Sequence, residues 1–164
     1  ESFQAVNNHL TGRIPPLSGM TKLQLILLSD NQLSGSIPAL AGLAALVNFT
    51  AHSNQLSGSI PQLTGLSNLR GIDVHSNRLW GSLPSLAGLA MLRSVTVYNN
   101  QLSGDLPDVQ HPNALLSGYS LLCLQDSNGF THSPNVDWDN ATGIAPWYLF
   151  CDSTPDPVSV NGFD

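Results

Sequence analysis

Between residues 8 and 100 an asparagine returns at a fixed interval of twenty-three, at Asn8, Asn31, Asn54, Asn77 and Asn100. Each opens a near-copy of one short string: NHLTGRIP at 8–15, NQLSGSIP at 31–38 and again at 54–61, NRLWGSLP at 77–84, NQLSGDLP at 100–107. No other property of the chain restricts its fold as much. A unit this short cannot enclose a core alone, so its apolar groups must be buried by the units above and below it.

Reading the sequence in columns shows what stacking would bury. Two columns are leucine throughout: Leu10, Leu33, Leu56, Leu79, Leu102 and Leu23, Leu46, Leu69, Leu92, Leu115. Two more run Ile14, Ile37, Ile60, Leu83, Leu106 and Leu17, Leu40, Leu63, Leu86, Val109. The last two are Phe3, Ile26, Phe49, Ile72, Val95 and Ala5, Leu28, Ala51, Val74, Val97. These last columns are separated by one residue, the spacing of the inward side of a short strand. The polar columns have reasons of their own. An asparagine side chain carries donors and an acceptor, and can satisfy backbone groups where the chain leaves a strand and turns inward. The glycines at 12, 35, 58, 81 and 104 allow a bend that a Cβ would obstruct, and a second glycine column at 19, 42, 65 and 88 marks the return turn. The prolines at 15, 38, 61, 84 and 107 fix φ and end strand pairing.

Composition excludes some functions. Charged residues are 10% of the 164, and the net charge is −6 with one lysine, Lys22. That balance, without any basic run, argues against a nucleic-acid surface. No stretch reaches the ~18 to 20 consecutive apolar residues of a membrane span. Glu1 opens directly into a repeat, which suggests that the natural chain starts earlier, and no signal peptide is visible. Asn48-Phe49-Thr50 and Asn140-Ala141-Thr142 fit the N-glycosylation acceptor pattern. With the two cysteines, Cys123 and Cys151, they point to a secreted or cell-surface chain.

The unit pattern LxxLxLxxNxLSGxIPxLxGL resembles the leucine-rich repeat, and its SGxIP portion resembles the plant-specific subtype. The resemblance covers residues 1 to about 115. It implies an α/β fold by the convention for this family, mostly short parallel strands with 3₁₀ or irregular return segments. The expected object is a right-handed solenoid of five repeats with a C-terminal cap. These units are one residue shorter than is usual for the plant form, and the missing position falls between the proline and the return turn. By resemblance, such shortened units occur in secreted or surface proteins of protists, algae and some bacteria. We expect repeats over 1–115, a capping region over 116–152 and a tail or linker over 153–164. In the final unit Cys123 stands where the asparagine is expected, and a slipped register would turn Tyr119 and Leu121 inward. Trp138, Trp147, Tyr148 and Phe150 would cover the last coil. A Cys123–Cys151 disulfide would close the cap, worth ~3 to 4 kcal/mol on the loop-entropy model.

Outward strand positions in such a solenoid line its concave face. By column they are Gln4; Leu25, Leu27, Ser29; Asn48, Thr50, His52; Gly71, Asp73, His75; and Ser94, Thr96, Tyr98. Arg70, Arg93, Asp30, Ser53, Ser76 and Asn99 flank them. Strands lie ~4.8 Å apart, so His52, His75 and Tyr98 should be adjacent rungs, with Asp73 between Thr50 and Thr96. The candidate binding strip is Asn48, Thr50, His52, Arg70, Asp73, His75, Arg93, Thr96 and Tyr98. Its alternative reading is a solvated sheet face without a partner. Trp80 replaces a serine and should lie on a lateral surface, as an interface candidate or as packing over its neighbours. A glycan at Asn48 would project from the concave face and obstruct part of it.

Other chemistry finds only incomplete motifs. His52 and His75 could reach one metal ion, but no third ligand is evident, and no cofactor is expected. The Asn135-Val136-Asp137-Trp138-Asp139 run alternates like a calcium loop yet lacks its glycine and glutamate. Serine, histidine and aspartate recur as surface positions without a strained nucleophile turn, so no catalytic residue is expected. The resulting expectation is a non-catalytic extracellular module that binds a protein or glycan: a surface receptor, adhesin or secreted binder. A structural subunit of an extracellular coat, wall or filament is one alternative. Phe3, Leu10 and Ile14 would be open to solvent at the first coil unless another segment or copy covers them. An inhibitor of a secreted hydrolase is another.

Overall fold

The computed structural model describes residues 1–107, 128–131 and 138. Cys123, Cys151, Asn140, Val109, Leu115, Tyr119, Leu121 and the 153–164 tail lie outside the described residues. The 116–152 region is described only at 128–131 and 138.

The chain winds into a solenoid with two parallel sheets. The first holds β1 (Ser2–Gln4), β3 (Leu25–Leu27), β5 (Asn48–Thr50), β7 (Gly71–Asp73) and β9 (Ser94–Thr96), in that order. Its Cα partners are one full repeat apart: Phe3 with Ile26, Ile26 with Phe49, Phe49 with Ile72, Ile72 with Val95. Equivalent residues therefore stand side by side. Each of these strands is three residues long, with its middle residue turned to the core. The strand is short because a left-handed residue follows soon after it. Asn7, Asp30, Ser53, Ser76 and Asn99 have φ between 52° and 57°. That conformation costs most side chains ~1 to 2 kcal/mol and suits short polar ones best.

The second sheet is one that the columns did not suggest. It holds β2 (Thr11–Gly12), β4 (Gln32–Gly35), β6 (Gln55–Gly58), β8 (Arg78–Gly81), β10 (Gln101–Gly104) and β11 (Gly129–Phe130). Residues expected only to bend the chain thus pair first, and the bend falls at their last position. There Gly35, Gly58, Gly81 and Gly104 take φ between +76° and +89°. From β2 to β10, partners in this side wall are two positions short of a full repeat apart, as in Ser34 with Gln55 and Ser57 with Arg78. Return segments are tight turns, such as Met20 N–H to Leu17 O at 3.2 Å followed by Leu23 N–H to Met20 O at 2.9 Å.

Among the described residues the six expected columns are buried from the second coil onward, and a seventh joins them: Leu43, Leu66 and Leu89, each at most 4% exposed. Its first member, Met20, is 45% exposed. In the first coil Leu10 is exposed and Phe3 half-buried, as expected there. Ile14 is instead buried and joins the core with Leu17 and Ile37.

The asparagine ladder closes each coil onto the one before it. Asn54 Oδ1 accepts from Leu33 N–H at 2.9 Å, while its Nδ2 donates to Leu28 O at 3.0 Å and Ala51 O at 3.2 Å. Asn77 repeats this with Leu56 N–H, Ala51 O and Val74 O, and Asn100 with Leu79 N–H, Val74 O and Val97 O. The next rung is Asn128, not Cys123. Its Oδ1 accepts from Leu102 N–H at 2.8 Å and its Nδ2 donates to Val97 O at 3.0 Å. Asn128 lies five positions beyond the point where the period would place an asparagine, so the final corner arrives late. Phe130 then takes the place of the leucine column and is 6% exposed. Trp138 is fully buried against this core, and its indole N–H donates to Pro107 O at 2.7 Å. No helix among the described residues is long and apolar enough to cross a membrane.

A polar and aromatic strip on the concave sheet

Alternation along each strand sends one residue of every three inward and leaves the other two on the open side. The register then arranges the open side in three rows. The first is Ser2, Leu25, Asn48, Gly71, Ser94, and the second is Gln4, Leu27, Thr50, Asp73, Thr96. The third, one step past the strand ends, is Val6, Ser29, His52, His75, Tyr98. Among them Leu25, Leu27, Asn48, Thr50, Gly71, Asp73, Ser94 and Thr96 are half-buried, while Arg70 and Arg93 are exposed at the leading edge. The arginine backbones extend the sheet: Arg93 N–H donates to Arg70 O at 2.7 Å.

The third row is an aromatic stack. The His52 and His75 ring centroids are 4.4 Å apart with planes 11° from parallel, and those of His75 and Tyr98 are 4.3 Å apart at 16°. The strand spacing of ~4.8 Å makes such a stack almost unavoidable when planar side chains occupy equivalent positions. Each aromatic pair is worth ~0.5 to 1.5 kcal/mol beyond its buried area. His75 Nδ1 donates to Asp73 Oδ1 at 2.6 Å, and its backbone N–H reaches the same oxygen at 3.3 Å. A carboxylate oxygen accepts, so this bond calls for the tautomer with its ring hydrogen on Nδ1. His52 Nδ1 lies 3.2 Å from Ser53 Oγ. The rings are thereby fixed on a surface that no described coil covers.

This geometry is poor for a shared metal ion. Imidazole lone pairs lie in their ring planes, and near-parallel stacked planes send them side by side instead of converging. Both Nδ1 atoms already have protein partners. Among the described residues no group of three or more histidine, cysteine, aspartate or glutamate side chains is placed to hold a metal ion. Ser29 departs from its expected exposure. It is 2% exposed, and its Oγ has no partner among the described residues. Its carbonyl is held in the corner by Asn31 Nδ2 and Asn7 N–H. The strip therefore effectively begins at His52. Trp80 stands on the side wall in β8, 57% exposed and in register with Gln101. An open groove of about 510 Å³ lies elsewhere on that wall, between Arg13, Pro15, Pro16, Pro38 and Ala39.

Partial burial, and next the negative charge of Asp73, hold the Tyr98 phenol above its ordinary pKa of 10.0. The neutral phenol is thus favoured by folding. Its contribution to stability is complete below pH 10.0 and is lost as pH rises from there through the raised value. Ultraviolet difference titration should show this directly. The tyrosinate signal missing from Tyr98→Phe should be a step above pH 10.0. A missing step at or below 10.0 would contradict the partial burial of the ring beside Asp73.

An open parallel sheet on one side, a leucine-filled interior and an asparagine ladder define a leucine-rich-repeat solenoid. The chain belongs to the leucine-rich-repeat family. The Leucine Rich Repeat family model matches residues 22–43. The BIR2 ectodomain of Arabidopsis thaliana is 31% identical with a TM-score of 0.62, over 80% of this chain and 69% of that one. The leucine-rich-repeat ectodomain of the Arabidopsis thaliana receptor kinase SOBIR1 is 32% identical with a TM-score of 0.60, over 77% and 67%. A chain from the structure of the Arabidopsis receptor kinase HAESA, in complex with the peptide hormone IDA and the co-receptor SERK1, is 28% identical with a TM-score of 0.60. That match covers 81% of this chain but only 20% of the other, so the present chain spans about a fifth of its length. None of the curated proteins compared matches the chain.

Proposed function

We propose that the chain is a non-catalytic extracellular recognition module that binds a protein partner across its concave face. The observation that carries this reading is the pre-set strip of His52, His75 and Tyr98 with Asp73 fixed beside it. Side chains already locked in one arrangement lose little freedom on binding, so more of their contact energy appears as affinity. The flanks broaden the surface: Thr50 and Thr96 on either side of Asp73, and Leu27 towards the first coil. Likeness to receptor ectodomains supports a protein partner, since HAESA was solved with a peptide hormone and a co-receptor. The sequons and the cysteine pair support the extracellular setting.

The test is to immobilise the chain and three variants and recover proteins from the extracellular fluid of its source. Asp73→Arg reverses the charge at the strip's centre. A buried charge contact of that kind is worth ~2 kcal/mol, or roughly thirtyfold in affinity. Trp80→Ser restores the serine of neighbouring repeats on the side wall, and Ser59→Arg charges that wall. A partner held by wild type, Trp80→Ser and Ser59→Arg but lost from Asp73→Arg is the expected result. A partner held equally by Asp73→Arg would exclude the concave strip. Loss with Trp80→Ser instead would move the contact to the side wall.

A further inference from the structure

Asn48 differs from the ladder asparagines in what its amide does. Asn54, Asn77 and Asn100 spend their side chains on backbone groups of two coils. The Asn48 side chain makes no hydrogen bond among the described residues. Ser29 Oγ is the one buried side-chain polar atom there without a partner, so the Asn48 amide atoms are reached by solvent. Asn48 lies on the concave side of β5, at the first position of the acceptor triplet Asn48-Phe49-Thr50. Thr50, the third member, points to the same side, while Phe49 is fully buried. The neighbour in register is Gly71, and a Cβ there would stand 3.1 Å from Asn48 Oδ1. The Asn48 amide thus leans over the one position of its row that has no side chain.

We propose that Asn48 carries an N-linked glycan that covers the leading edge of the concave face, over Gly71 and towards Arg70, and leaves the His52–His75–Tyr98 row to the partner. This rests on the extracellular reading above. The donor is a lipid-diphosphate-linked oligosaccharide. A bond forms between Asn48 Nδ2 and C1 of the first sugar. The C1–oxygen bond to the diphosphate breaks, the lipid diphosphate leaves with the electron pair, and the amide gives up one proton. Transfer precedes folding, because β5 in the finished sheet is paired on both sides. The fold must then accept the sugar. A glycan on a ladder asparagine such as Asn100, 1% exposed, would prevent the coil from closing. One on Asn48 projects from a sheet that no described layer covers. The aromatic row lies four residues further along the strand direction, roughly 13 Å away, which leaves room for a partner beside the glycan.

Glycopeptide mass analysis of the chain purified from its source tests the modification. The expected result is a glycan on Asn48 that Thr50→Ala removes, with the circular dichroism spectrum unchanged. Its position is tested by modification rates before and after enzymatic deglycosylation. Phenylglyoxal should react several-fold faster at Arg70 once the glycan is gone, while diethyl pyrocarbonate should react with His75 at the same rate. Bare Asn48 in the secreted chain overturns the proposal, and an Arg70 rate indifferent to the glycan overturns its placement. The two readings fail separately. Bare Asn48 with partner binding still lost in Asp73→Arg removes the glycan and keeps the strip. An occupied Asn48 with binding indifferent to Asp73→Arg does the reverse.

Discussion

Asn100→Ala should lower stability by about 3 kcal/mol or more, whereas Asn8→Ala, in the same column, should change it by no more than ~0.5 kcal/mol. The contrast follows from what each amide holds. Asn100 is 1% exposed, and its side chain bonds Leu79 N–H at 3.0 Å, Val74 O at 3.0 Å and Val97 O at 2.9 Å. Alanine leaves Leu79 N–H without its acceptor inside the corner, at ~1 to 3 kcal/mol, and removes one of two donors from Val74 O and Val97 O, which keep Asn77 Nδ2 and Asn128 Nδ2, at ~0.5 to 1.5 kcal/mol for each bond lost. Asn8 is exposed and bonds only Val6 O, two residues back. For a domain of this size the loss at Asn100 corresponds to a Tm lower by roughly 6 to 12 °C. Asn100→Asp should be no milder, because the carboxylate keeps the acceptor but turns a negative oxygen towards the carbonyl oxygens of Val74 and Val97. Thermal melts of the three variants decide the matter. Equal losses at positions 8 and 100 would mean that the asparagine is retained for the turn and not for the ladder.

Phe49→Ala should cost about 3 to 5 kcal/mol, the usual range for emptying a fully buried aromatic site. Phe49 is 0% exposed and lies in register between Ile26 and Ile72, so its ring fills one whole layer of the stack. Both neighbours belong to three-residue strands held by coils on each side, which restricts collapse into the space. Phe49→Ile, the residue already used one coil above and below, should cost only ~1 to 2 kcal/mol. Urea unfolding gives both values. A loss for the alanine variant no larger than that for the isoleucine variant would show that the stack closes over the gap.

Much of this architecture was readable before any coordinate, because a repeat is several readings of one unit. A column that is leucine five times, as at Leu10 to Leu102, cannot be a surface accident. The inward strand pair, the ladder and the concave order His52, His75, Tyr98 follow from the same alignment. The rest of the fold is carried by less uniform columns. Leu43, Leu66 and Leu89 are preceded by Met20 and followed by Pro112, so their column lacks an unbroken run. Three of the side-wall strands read QLSG, a string whose serine and glycine suggest a loop; their pairing is imposed by stacking and not by strand propensity. Asn128 was hidden by arithmetic, since five added residues placed Cys123 where the period pointed. Its signal was present as Ser127-Asn128-Gly129-Phe130, an echo of Ser53-Asn54-Gln55-Leu56. The Asp73–His75 bond and the buried Ser29 hydroxyl depend on side-chain directions that no column records.

The ladder also has a direction in time. Each asparagine holds the coil made before it: Asn54 takes Leu33 N–H, Asn77 takes Leu56 N–H, Asn100 takes Leu79 N–H and Asn128 takes Leu102 N–H. A coil leaving the ribosome therefore waits, its corner unfinished, until the next asparagine emerges one repeat later and seals it. The chain can zip shut in the order in which it is synthesised, one turn behind the growing end, without waiting for any distant segment.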